Sequence, residues 1–208
     1  MQVVVIVAGF VAEVTAWRQV AAQRASVWTL ITAVTGAQGI AAALVRPPVA
    51  SGMTTVAAAT AVGVGAGLAL YLSTRIFVGV VSRWEAVDRQ VAESYRRARE
   101  VALPVALALS LLVVVPGEEL FWRGLVQPRL QASMPVLSGP ALAWLAYIAA
   151  NAASGSLPLV AGAVVGGAVW AALALWTHGV LSSIACHAVW TGLMLAYPPG
   201  PGRARMRG

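Results

Sequence analysis

The segment from Pro116 to Gly124 places two carboxylic acids and one guanidinium inside an otherwise apolar stretch. At about 100° per residue, Glu119 and Arg123 lie on one helix face with the acid N-terminal to the base, an arrangement that favours an ion pair. Glu118 projects about 100° away from Glu119 and has Trp122 one turn ahead, so it is the unpaired acid. An unpaired carboxyl in a low-dielectric pocket suits a general base or a general acid.

Pro116 and Gly117 immediately precede the acidic pair. Because proline removes one backbone donor and glycine relaxes the chain, we expect the helix to kink there and to open a wet pocket beside Glu118. An ionisable residue in a membrane span costs about 2.5–3.5 kcal/mol, so such a cluster needs a reason. The alternative is a helix end at the headgroups, where Glu and Arg simply meet water. For so dense a string we favour a functional interpretation.

Three polar side chains further along the chain are candidate partners of Glu118. His187 lies in an apolar helix and can carry a proton, donate a hydrogen bond or bind a metal. Thr191 lies one turn after His187 on the same face. Asn151 lies deep in another apolar run, where its amide needs partners and at the least joins helices. For a lone membrane His, packing is the more common role.

The residue types give little support for a metal site. The single Cys, Cys186, excludes an intrachain disulfide framework and a Cys-based zinc cage. His178 and His187 would point to opposite sides of one continuous helix, about 13.5 Å apart. Glu118 and His187 together supply only two of the three protein ligands that catalytic zinc normally takes. We therefore expect no firm cofactor.

The composition places these residues in a bilayer. Hydrophobic residues make up 60% of the 208 and charged residues 10%, against about 45–50% and about 25% in a globular chain. The formal charge is +7, and all 14 cations are Arg. Because these Arg are scattered among apolar runs, nucleic-acid binding explains them poorly, and contact with anionic lipid headgroups explains them better.

Apolar windows long enough to cross a bilayer, about 20 residues each, recur along the chain. Residues 25–45, 47–82 and 101–117 give one span each, and residues 130–202, which hold no Asp, Glu, Lys or Arg, have room for three. The run 2–17 is borderline because it holds Glu13, and without a basic flank or cleavage site we expect it to stay in the mature chain. The predicted fold is all-α, a polytopic transmembrane helical bundle of six to eight spans.

The predicted organisation has four segments. They are the N-terminal transmembrane helices (1–81), an amphipathic surface helix or linker (82–100), a membrane core (101–197) and a basic disordered tail (198–208). Within 82–100, apolar residues recur every three or four positions, and the Glu85–Arg89 and Glu93–Arg97 pairs have the favourable i,i+4 order. A solvated connector without a function of its own is the simpler interpretation of this helix.

The Arg distribution predicts the sidedness of the bundle. With seven spans, the loops at 18–25, 82–100 and 154–157 and the C-terminal tail fall on one side, which holds ten of the Arg residues. The positive-inside rule then makes the C-terminus cytoplasmic, and we expect an integral, multi-pass protein of the cell membrane. Two Gly-x-x-x-Gly spacings, Gly63 to Gly67 and Gly162 to Gly166, allow close helix contact within or between chains, and we favour contact within the chain.

The string from Glu118 to Leu125, with an apolar helix before it and a helical His well downstream, resembles the first signature of the CAAX prenyl protease and bacteriocin-processing family, the type II CAAX endopeptidases. The likeness covers roughly residues 101–197, about half of the chain. It implies a multi-span intramembrane protease, a hydrolase often labelled a metalloprotease, that acts on a peptide or protein substrate at the bilayer. By this resemblance Glu118 activates the attacking water, Glu119 and Arg123 hold the motif's shape, and His187 stabilises the oxyanion.

Two positions depart from the family pattern. The second signature is an aromatic residue, three residues and a His, and the matching stretch here runs from Tyr147 to Asn151. Asn can orient a water but cannot accept its proton, so Glu118 would act alone, and a zinc site would lose a ligand. The partner one turn after the last His is usually Asn or Asp, whereas here it is Thr191, a shorter hydrogen-bond donor.

The leading hypothesis is an intramembrane endopeptidase with Glu118 as general base and His187, Thr191 and Asn151 as polar support. The main alternative is a catalytically inactive pseudoprotease that acts as a membrane scaffold or binding protein. A small transporter with Glu118 as proton relay ranks last, because the sequence shows no inverted repeat. Substrate, prenylation and oligomeric state stay open. Charge counting places the Glu118 end of its helix outside, whereas prenylated substrates favour a cytoplasmic opening.

Overall fold

The computed structural model of the chain describes residues 1–81 and 84–199. Every regular element in this part of the chain is a helix, which confirms the all-α class. The eight helices are α1 (Gln2–Ala21), α2 (Val27–Val45), α3 (Val56–Val81), α4 (Glu85–Ala98), α5 (Leu103–Gln131), α6 (Ser138–Ala152), α7 (Leu157–Thr177) and α8 (Leu181–Ala196). Arg83 and residues 200–208, most of the predicted basic tail, lie outside the described residues.

Five of these helices, α1, α2, α3, α5 and α7, are long and apolar enough to cross a membrane. The apolar helices α6 and α8 have 15 and 16 residues, fewer than the roughly 20 that a straight span needs. The predicted helical membrane protein is therefore confirmed. The number of spans supported by helix length and composition within the described residues is five.

The helix that carries the acidic pair is longer than expected and does not stop at Pro116. Instead of ending near residue 117, α5 continues through both Glu118 and Glu119 to Gln131. Two π-helical stretches, Ser110–Val114 and Trp122–Val126, flank the motif. The wider turn before Pro116, in which the Val115 N–H donates to the Ser110 carbonyl, accommodates a residue that lacks an N–H. Pro116 thus follows a locally widened turn of one continuous helix.

The first two helices pack directly on the acidic motif. A Cβ atom on Gly39 of α2 would lie 2.6 Å from the Cα of Gly117 in α5, and one on Gly9 of α1 would lie 2.5 Å from the Phe121 ring. Only glycine permits such close backbone contact between helices. These contacts of α1 and α2 with the surroundings of Glu118 were not predicted.

The Gly63 and Gly67 spacing joins two helices of the same chain, as expected. A Cβ on Gly63 would contact Ala185 at 2.8 Å, and one on Gly67 would contact Val189 at the same distance, so both glycines of α3 face α8. Gly162 of α7 likewise faces Trp190 of α8. Both glycines of the first motif and Gly162 of the second thus pack against another helix of the same chain, whereas a Cβ on Gly166 would meet Trp170 of its own helix.

Helix α4 lies across one end of the bundle, here called the α4 end. There the Trp28 indole donates to the Arg97 carbonyl at 3.1 Å, and the Leu157 N–H donates to Gln90 Oε1 at 2.9 Å. At the opposite end, backbone bonds join residues 49–52 to residues 177–181. The three loops that the seven-span count assigned to one side of the membrane therefore lie at one end of the bundle, where Arg97 also donates to the Val20 carbonyl.

Candidate active site

Glu118 is buried near the middle of α5 and meets a neutral donor. Its side chain is 5% exposed, and the Tyr147 hydroxyl of α6 donates to Glu118 Oε2 at 2.9 Å. Among the described residues no cation forms an ion pair with it, in agreement with the predicted unpaired acid. A carboxyl held by one phenol hydroxyl keeps its remaining lone pairs for other donors.

Glu119 has the opposite environment. It is fully buried, with Arg123 Nη1 at 3.4 Å and His187 Nδ1 at 2.9 Å, both directed at Oε1. The predicted i,i+4 pair with Arg123 is confirmed, and Arg123 also donates to the Gly167 carbonyl at 3.1 Å. The contact with His187 was not predicted, because it joins residues 68 positions apart.

His187 is held by a hydrogen bond and by an aromatic stacking contact. With Nδ1–H donating to Glu119, Nε2 is left for the cavity that His187 lines. The ring stacks on Trp170 at 3.6 Å between centroids and an interplanar angle of 13°. The Arg123 guanidinium lies 4.6 Å from the Tyr147 ring centroid, so the cation is also covered by an aromatic face. This packing restricts the imidazole to one orientation.

One cavity of about 390 Å³ brings the predicted site residues together. Glu118, Asn151, His187 and Thr191 all line it, although they come from three separate helices. Asn151 is buried, and its Nδ2 donates to the Tyr147 carbonyl one turn earlier at 3.0 Å. The convergence that the sequence could only propose is therefore present in the fold.

The cavity runs from Glu118 toward the α4 end. Its walls include Gln90, Glu93 and Arg97 of α4 as well as residues 154–156. Glu93 accepts hydrogen bonds from Arg96 and Arg97. These bonds lower the pKa of Glu93 to about 2 and keep it ionised at the α4 end of the cavity.

Both predicted i,i+4 ion pairs of α4 are present. The Glu93–Arg97 pair measures 2.9 Å and the Glu85–Arg89 pair 3.9 Å.

Zinc does not fit the residues of this cavity. Over residues 1–81 and 84–199, no three His, Cys, Asp or Glu side chains gather in a group that could hold a metal ion. Glu119 Oε1 is already occupied by Arg123 and His187, and Asn151 stands in the place of a possible ligand. The metalloprotease label is therefore not supported by the described residues.

Two contributors to the site were missed in the sequence. Glu13 of α1 is fully buried beside the motif, and the rule that singled out Glu118, an ionisable residue within an apolar run, applies equally to Glu13. Trp170, which stacks on His187, carries no sequence signal because the two residues lie on different helices.

The fold and the site together define a class of protein. Helices that can cross a bilayer enclose a buried, unpaired carboxyl, an imidazole oriented by a second carboxyl, and a cavity that both line. Residues 100–193 match the family model described as Type II CAAX prenyl endopeptidase Rce1-like. The family resemblance carried by the acidic motif is confirmed by this match, which covers a little under half of the chain, and the matched family is one of proteases. No curated protein and no solved structure matches the chain significantly.

Proposed function

We propose that the protein is an intramembrane endopeptidase of the CAAX type, in which Glu118 activates water for attack on a peptide bond. The observation that carries the proposal is the convergence of Glu118, His187, Asn151 and Thr191 on one cavity among membrane helices. A cavity that holds a carboxyl, an imidazole and an amide inside an apolar bundle has the proton acceptor that peptide hydrolysis needs and room for a water molecule.

In the proposed reaction Glu118 takes a proton from a water molecule while the oxygen of that water adds to the carbon of the scissile carbonyl. The oxyanion that forms is stabilised by hydrogen-bond donors on the cavity wall, with His187 held in place by Glu119. When the tetrahedral intermediate collapses, the C–N bond breaks and Glu118 passes the proton that it took from water to the leaving amine. Asn151 orients the water without accepting its proton, because an amide is not a base at neutral pH.

The proposed substrate is a peptide that carries a long apolar chain. A second cavity, about 540 Å³ and lined almost entirely by apolar side chains, lies between α3, α4, α7 and α8. It shares Ser94, Gly162 and Trp190 with the first cavity. A prenyl group in the apolar cavity would leave its peptide beside Glu118, which accords with the prenyl endopeptidases of the matched family.

The proposed location is the cell membrane, with the C-terminus and the α4 end facing the cytoplasm. The ten Arg that the sequence assigns to that side, six of them within the described residues, support this orientation through the positive-inside rule. Because the Glu118 cavity runs to the α4 end, the same orientation gives cytoplasmic access. The conflict between charge counting and substrate access therefore disappears, since Glu118 lies in mid-helix and the opening is at the Arg-rich side.

The test is peptidase activity in proteoliposomes with prenylated and unprenylated peptides. Glu118→Gln keeps the shape but removes the base, so turnover should fall by about 10²–10⁴-fold. Glu85→Gln is the matched control, because Glu85 is an exposed acid on α4. Unchanged activity of the Glu118→Gln protein would refute the assignment, and equal cleavage of both peptides would refute the proposed lipid-bearing substrate.

The second candidate function is a pseudoprotease that binds partners through the same cavity. Asn151 favours this inactive protein, because an amide cannot act as a base and its Nδ2 already donates to a backbone carbonyl of its own helix. If the wild-type protein cleaves nothing and Asn151→His creates peptidase activity, this candidate replaces the first. If wild-type activity depends on Glu118, the pseudoprotease is rejected.

A further inference from the structure

Glu13 is a buried acid whose partners are neutral. Gln38 Nε2 donates to Glu13 Oε2 at 3.0 Å, and the Trp122 indole donates to the same oxygen at 3.2 Å. Within the described ranges no Arg forms an ion pair with it. A carboxyl in such a position inside an apolar helix is costly and usually serves a function.

Trp122 connects Glu13 to the proposed catalytic carboxyl. Its indole ring lies 5.5 Å from the Tyr147 ring centroid at an interplanar angle of 69°, and the Tyr147 hydroxyl donates to Glu118 at 2.9 Å. Trp122 and Tyr147 are both buried, at 2% and 4% exposure. A side chain packed this closely has few alternative rotamers, so a change at one end of the series is transmitted to the other.

We infer that Glu13 is a positioning residue of the active site, which holds the Trp122 indole against Tyr147 and thereby keeps the Tyr147 hydroxyl on Glu118. The inference rests on the proposed function. It extends the site to α1, outside the matched residues 100–193. Neither Glu13 nor Trp122 lines the cavity, so the effect on turnover is indirect.

The competing explanation is that Glu13 only joins α1 to α2. Gln38 Nε2 also donates to the Gly9 carbonyl at 3.0 Å, so this cluster does connect the two helices. A merely structural role predicts lower stability without a selective change at Tyr147. A positioning role predicts a fall in kcat with little change in KM, because the substrate cavity itself is untouched.

The kinetic test is carried out in proteoliposomes. It compares variants that keep the hydrogen-bond acceptor at position 13 with variants that remove it. Glu13→Ala removes the acceptor and should lower kcat by about 10- to 100-fold, as loss of an orienting partner commonly does. Glu13→Gln keeps an acceptor oxygen and should restore most of the turnover, in contrast with Glu118→Gln. Thr35→Val is the matched control, because the buried Thr35 hydroxyl bonds within its own helix, to the Ile31 carbonyl at 2.8 Å.

A second measurement does not depend on peptidase activity. In detergent-solubilised protein labelled with ¹³C at the tyrosine rings, the Tyr147 signal, assigned through Tyr147→Phe, should move in Glu13→Ala and stay in place in Thr35→Val. A Tyr147 signal that stays in place, or a kcat for Glu13→Ala equal to that of Thr35→Val, overturns the inference. If the signal moves while wild-type protein shows no peptidase activity, the positioning role stands and the proposed function fails.

Discussion

Glu118 and Glu119 are adjacent in the chain, yet their partners divide the chemistry between them. Glu118 receives one neutral hydroxyl, whereas Glu119 receives a guanidinium and an imidazole. A buried carboxyl with a cationic partner is stable as a fixed anion, and one without such a partner can exchange a proton. The spacing in the sequence was enough to predict the ion pair of Glu119 and its absence at Glu118, because Arg123 lies one turn from Glu119 and Trp122 one turn from Glu118.

At the residue scale we predict that Glu119→Gln destabilises the protein. Arg123 is 3% exposed, and removing its anionic partner leaves a buried charge, at a cost of about 3–5 kcal/mol. The double variant Glu119→Leu/Arg123→Met removes both charges and should recover most of the stability. Its peptidase activity should stay lost, because His187 Nδ1 no longer has its acceptor. Unfolding titrations in mixed micelles and turnover assays measure the two effects separately.

Either of two results would contradict this prediction. Equal stability of Glu119→Gln and the wild-type protein would show that the 3.4 Å pair contributes little. Full activity of the double variant would show that His187 needs no carboxylate to orient it.

At the scale of the helix, α5 shows where sequence reasoning succeeded and where it failed. Helical spacing predicted the Glu119–Arg123 pair correctly. A kink was expected at Pro116, but the sequence did not indicate the π-helical turn from Ser110 to Val114, which lies just before this proline. Close to this turn, Gly39 of α2 approaches the backbone of Gly117. That contact joins distant parts of the chain, which local periodicity does not report.

We predict that Gly117→Ala disrupts the contact between α2 and α5. The new methyl group would overlap the backbone of Thr35, and overpacking of this kind costs about 1–3 kcal/mol. Gly65→Ala in α3 is the matched control, because a Cβ there meets nothing within 4 Å, and alanine is the better helix former. Thermal unfolding in detergent should show a lower midpoint only for Gly117→Ala. Equal midpoints would mean that the glycine contact is unimportant.

For the molecule as a whole, the seven-span count predicted which loops share an end, because successive spans return the chain to the same side at every second loop; the Arg count then predicted that this end faces the cytoplasm. It did not predict where the cavity runs. Glu118 was placed at a helix end, whereas α5 continues to Gln131, and the cavity extends in the other direction to α4. Glu13 and Trp170 were missed for a related reason, since only packing brings α1 and α7 to the motif.

The proposed orientation leads to a labelling experiment on intact cells. Cys186 is fully buried and is replaced by Ala to give a cysteine-free background. Arg89→Cys then reports on α4, and Val136→Cys, at a site 73% exposed beyond the other end of α5, reports on the opposite face. A membrane-impermeant maleimide should label Val136→Cys from outside, and Arg89→Cys only after the cells are opened. The reverse pattern would place the mouth of the Glu118 cavity outside the cell and would remove the argument for cytoplasmic access.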